Sequence, residues 1–120
     1  VDRRWKDLLE GRKLDTIRFD EMHIEPGLMV YRNCSDLENI CVVHATKAVY
    51  IPLRDVLKYA KDIDYKQNEE NLLAQMKTHY PDITLDTVIQ YIQHLSPDET
   101  KERYPDDVNI IETTFNNFLL

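Results

Sequence analysis

Glycine is nearly absent from this 120-residue chain, occurring only as Gly11 and Gly27. A phosphate-binding P-loop and a dinucleotide fingerprint both need closely spaced glycines, so both are excluded. Only two cysteines occur, Cys34 and Cys41. That is too few for a disulfide framework, and a reducing intracellular compartment, cytoplasm or nucleus, is the expectation. Serine is equally scarce, at Ser35 and Ser96, and neither sits in a nucleophile-elbow setting. No apolar run approaches the roughly 20 residues that span a bilayer, so no membrane segment is expected. Positive charge is also in deficit: 15 basic against 22 acidic residues give a net charge of −7. Neutralising phosphates supplies much of the affinity for nucleic acid, so a chain this acidic is a poor candidate for that partner.

What is present is ordinary globular material, with 42% hydrophobic and 31% charged residues. This length allows one domain, taken as residues 1–120. Val1 is not an initiator methionine, which allows the chain to be a piece of a longer protein. The opening Val-Asp-Arg-Arg-Trp lacks the apolar core of a signal peptide. The first 18 residues are net basic, so a basic start sits on an acidic body, an arrangement suited to an acidic partner or to self-association.

Hydrophobic period divides the chain in two. Residues 3–12 place Trp5, Leu8 and Leu9 on one helical stripe that breaks near Gly11. Alternation then predicts strands within Leu14–Met22, Leu28–Tyr31, Ile40–Thr46 and Ala48–Ile51, with a turn at Pro26-Gly27. After Pro52 the period lengthens to about 3.6. Leu53, Val56, Leu57 and Ala60 form one stripe, and Leu72, Leu73, Met76 and Tyr80 form another behind an Asn68 cap. Thr84 is expected to cap a third helix carrying Val88, Ile89, Ile92 and Leu95. Ser96-Pro97-Asp98-Glu99 reads as a capping box for a fourth, and a last helix from about Pro105 aligns Val108, Ile111, Phe115 and Phe118. Tyr-Pro-Asp recurs at Tyr80 and Tyr104, but two copies do not make a repeat array. Strands before helices predict an α+β fold: a small antiparallel sheet over about residues 14–52, packed by a C-terminal cluster of four or five short helices.

Chemistry-bearing residues are dispersed. His23, Cys34, Cys41 and His44 are zinc-ligand types, yet no close pair occurs, and Cys41 and His44 point to opposite faces of a strand. No metal and no cofactor is expected. A cysteine–histidine enzyme would have to use Cys34 or His44; Asp36 and Glu38 beside Cys34 would raise its pKa, and Cys41 reads as a buried thiol. His44 reads as a core or edge histidine within an apolar strand. Carboxylates are many but scattered, so no acid–base pair can be named.

Residues 71–95, with Leu72-Leu73, Tyr80-Pro81-Asp82-Ile83 and Thr87-Val88, resemble the helix-turn-helix of winged-helix regulators such as the ferric-uptake family. The resemblance implies a DNA-binding regulator reading bases through Thr87, Gln90 and His94. The presumed recognition helix departs from that pattern in carrying Asp86 and no lysine or arginine.

The remaining reading is a non-catalytic protein-interaction module, either an adaptor domain or an inhibitory accessory factor. Aromatic and arginine side chains dominate interface hot spots, which singles out Trp5, Arg3 and Arg4 in the first helix and Phe115, Phe118 and Leu119 in the last. The expected partner is a protein, basic in character, or a second copy of the chain.

Overall fold

Local propensity and the partners available for buried polar groups together decide which segments join the sheet. The computed structural model describes residues 5–33, 36, 39–61 and 68–119, with the side chains of the last helix described as far as Phe115. The described elements are α1 (Trp5–Leu9), β1 (Asp15–Arg18), β2 (Gly27–Arg32), β3 (Ile40–Pro52) and a 3₁₀ turn (Leu53–Asp55). After these come α2 (Val56–Tyr59), α3 (Glu69–Lys77), β4 (Val88–His94), α4 (Pro97–Arg103) and α5 (Pro105–Leu119). The strands form one open antiparallel sheet in the order β1-β4-β3-β2, and the fold is α+β as expected. Arg3, Arg4, Cys34 and the polar connection near 62–67 lie outside the described residues.

The fourth strand corrects the sequence reading. Residues 84–95 were expected to be helical, but Thr84–Thr87 closes a turn, with the Thr87 N–H donating to the Thr84 carbonyl at 3.1 Å, and β4 follows. Thr87, Val88, Ile89, Tyr91 and Ile92 are β-branched or aromatic types that favour a pleated surface over a helix. Apart from Val88 and Gln93, β4 is buried along its length, as in a strand covered on both faces. Such a strand shows no simple alternation, and its spacing at 88, 89, 92 and 95 imitates a helix. The sheet therefore draws one strand from beyond the 14–52 window. The two strands expected at 40–46 and 48–51 are the single continuous β3.

By its contacts the chain divides into two compact units: Val1–Leu14, Pro26–Thr46 and His94–Leu120 form one, and Asp15–Glu25 with Lys47–Gln93 form the other.

In the first unit, Trp5 and Leu8 lie three residues apart on α1 and pack with Tyr31, Cys41 and Val43, with Met29 against them. The β2–β3 register sets Tyr31 opposite Cys41 and Met29 opposite Val43, so the strands present one apolar face to the helix. Gly11 ends α1 in the left-handed region at φ 77°. A Cβ there would come within 3.1 Å of the Ser96 Cβ. Ser96 caps α4, its Oγ accepting from the Glu99 N–H at 3.1 Å. The Glu99 carboxylate accepts from Arg103. One turn on, the Thr100 hydroxyl accepts from the His44 N–H at 3.0 Å, tying α4 to β3.

In the second unit, Ile17, Leu53, Val56, Ala60, Leu72, Met76, Ile83, Ile89 and Tyr91 form the core. Burying a Leu72 or Met76 side chain contributes about 1.5–3 kcal/mol, which is why a nine-residue helix holds in place. Asn68 caps α3 as expected, accepting from the Asn71 N–H at 2.8 Å. The buried Asp15 carboxylate accepts from the Tyr91 hydroxyl and from the Lys61 N–H, each at 2.7 Å.

Candidate interaction face

The helices α4 and α5 carry both buried and exposed apolar side chains. Of the described α5 residues only Val108 is buried; Ile111 and Phe115 are half-buried, and Ile110 is 61% exposed. The described part of the α5 stripe, Val108, Ile111 and Phe115, is covered in whole or in part, and Ile110 stands off that stripe. Phe115 is shielded in part by the Arg32 guanidinium, 5.4 Å from its ring centroid. The α5 side chains beyond it, including Phe118 and Leu119, lie outside the described residues.

Beside Val108 opens a cavity of about 150 Å³. Its apolar walls are Leu9 of α1, Ile40 and Val42 of β3, and Pro97 of α4. Asp98, Lys101 and Glu112 supply its charged lining. Between residues 97 and 115 six acidic side chains face two basic ones, a local balance of −4. Cys41 also lines the cavity, with its thiol pushed up to about 12 by burial first, and by Glu112 and Asp98 second. A thiol held neutral in this way is a small apolar group rather than a nucleophile.

The structure redistributes the expected site residues. Trp5 is only 9% exposed and belongs to the core, because the α1 stripe docks on β2 and β3. Phe115 lies half-buried on α5. The helix-turn-helix over 71–95 is not formed, since β4 replaces its second helix. Gln90 and His94 are 3% and 2% exposed, turned inward rather than toward a groove reader. His94 Nδ1 donates to the Leu95 carbonyl, which leaves Nε2 to accept from the Tyr31 hydroxyl at 3.0 Å. His44 lies against Tyr104, rings parallel within 12° and centroids 4.5 Å apart, and its Nδ1 has no hydrogen-bond partner among the described residues.

The exposure of Leu9 and Ile110 was not legible in the sequence because single apolar residues carry no sign of it. The one available signal was the excess of acid over base in 97–115. Among the described residues no three His, Cys, Asp or Glu side chains converge as a metal site. No described helix is long and apolar enough to cross a membrane. No protein-family model, no curated protein and no solved structure matches the chain.

Proposed function

We propose that the chain is a non-catalytic protein-interaction module, an adaptor domain or inhibitory accessory factor, that takes a basic protein segment on the outward face of α5 around Ile110. The observation that carries this reading is Ile110, a large aliphatic residue 61% exposed on α5 and set off the stripe of Val108, Ile111 and Phe115 that the chain itself covers in whole or in part. Apolar burial of Ile110 contributes to the affinity. The surplus of carboxylates on α4 and α5 steers a cationic partner and disfavours a second acidic copy. With two cysteines, one of them buried and held neutral, the reading places the chain in a reducing compartment, cytoplasm or nucleus.

The test is affinity capture from the parent cell with the wild-type chain and the Ile110→Asp variant, followed by identification and salt titration of what is retained. The expected result is a basic protein held by the wild type, weakened by salt and lost with the variant. Equal retention by both chains would remove this face from the account.

A further inference from the structure

Glu25, His23 and Tyr50 form a hydrogen-bonded chain in the second unit that the interaction reading does not use. His23 Nε2 lies 2.7 Å from the Glu25 carboxylate, and Nδ1 lies 2.5 Å from the Tyr50 hydroxyl. The His23 and Tyr50 rings are parallel within 10°, with centroids 5.5 Å apart.

A fourth residue flanks this chain. Gln90 pairs through its carboxamide with the backbone of Ile24: Oε1 accepts from the Ile24 N–H at 3.1 Å, and Nε2 donates to the Ile24 carbonyl at 2.6 Å. A backbone N–H only donates and a carbonyl only accepts, so the amide cannot be flipped. Gln90 Nε2, a donor, is then the atom 3.4 Å from His23 Nδ1. The Glu25 carboxylate only accepts, so His23 Nε2 carries the hydrogen given to it, and in the neutral imidazole Nδ1 is the unprotonated acceptor. The lone pair on Nδ1 faces the phenol of Tyr50, which donates to it.

This is the order of nucleophile, base and orienting carboxylate that activates a weak hydroxyl. We propose that Tyr50 is an acyl-acceptor site, with His23 as its base and Glu25 as the group that positions and stabilises the imidazole. In the step, Tyr50 Oη forms a bond to the carbonyl carbon of an activated acyl donor, and the bond to the leaving group breaks. The phenol proton passes to His23 Nδ1 and from there to the leaving group or solvent, and Glu25 balances the transient imidazolium. Residues 19–25 carry Asp20, Glu21 and Glu25 with no lysine or arginine, so a neutral acyl donor fits the site better than a multiply charged phosphoryl donor. Tyr50 is 58% exposed and open to such a reagent.

Tyr59 provides the internal control: it is 46% exposed, on the same unit, and lies beneath the Lys47 ammonium rather than beside a base. The experiment treats the full chain with N-acetylimidazole at neutral pH and follows hydroxylamine-reversible acetylation of each tyrosine by peptide mass spectrometry. Tyr50 is expected to react on the order of ten-fold or more faster than Tyr59. His23→Asn should lower the Tyr50 rate to that of Tyr59, and Glu25→Gln should lower it in part. Equal rates at the two tyrosines in the wild type, or a Tyr50 rate unmoved by His23→Asn, would overturn the assignment.

Discussion

The Gln90 carboxamide stands in for a peptide group opposite Ile24, accepting from its N–H at 3.1 Å and donating to its carbonyl at 2.6 Å. One side chain of β4 thereby continues the hydrogen bonding of the sheet where no strand lies. Gln90→Leu preserves bulk but leaves both Ile24 groups without that partner. It should cost about 1–3 kcal/mol in urea unfolding, and it should also slow Tyr50 acetylation by freeing the His23 ring. A loss below about 0.5 kcal/mol would show that water replaces the amide without penalty.

Tyr91 and Asp15 form another polar link of that strand, at 2.7 Å. Burial first, and the Asp15 carboxylate second, push the Tyr91 hydroxyl well above the usual phenol range. Tyr91→Phe removes a charge-assisted bond to a buried carboxylate and should cost about 1.5–3 kcal/mol by the same unfolding measurement. Asp15→Asn, which retains an acceptor oxygen, should cost less than Asp15→Ala.

Cys41 sets an alkaline limit on the first unit. Its thiol is raised from 9.0 to about 12, so the folded state holds the proton that the unfolded chain releases. The stabilisation is complete below pH 9 and is lost as pH rises toward 12, with a slope of up to about 1.4 kcal/mol per pH unit. Urea titrations at stepped pH should show stability falling from pH 9 upward, and Cys41→Ala should flatten the first part of that fall. An unchanged slope in the variant would place the alkaline loss elsewhere.

Ser96 does two jobs, capping α4 and packing beside Gly11. Ser96→Ala removes only the cap and should cost about 1 kcal/mol. Gly11→Ala meets both a positive φ and the Ser96 Cβ, so it should cost more than the roughly 1 kcal/mol usual for a left-handed site. A thermal melt of the two variants ranks them.

Capping and turn chemistry were read correctly from short range. Asn68 and Ser96 accept from the N–H groups that local rules assign them, and β2 begins at Gly27 after Pro26. The α+β class followed from the change of period at Pro52, where the 3₁₀ turn and α2 begin. The segment 84–95 failed because its apolar spacing fits a helix, whereas the partners that satisfy Gln90 and His94 as strand residues lie 66 and 63 positions away at Ile24 and Tyr31. Distance in sequence also hid the base beside Tyr50, since His23 lies 27 residues earlier. The burial of Trp5 was not legible for a simpler reason: an aromatic on a short amphipathic helix looks the same whether a partner or the chain's own sheet covers it.

The most direct test of the interaction face places a photo-crosslinking amino acid at position 110 and, as a control, at the exposed Tyr59 position, in chains expressed in the parent cell. Ile110 is a surface residue, so the replacement should change stability by no more than about 0.5 kcal/mol. The account predicts one basic protein joined to the chain from position 110 and absent from position 59. Water-quenched probe at both positions, or joining only to a second copy of the chain, would contradict it.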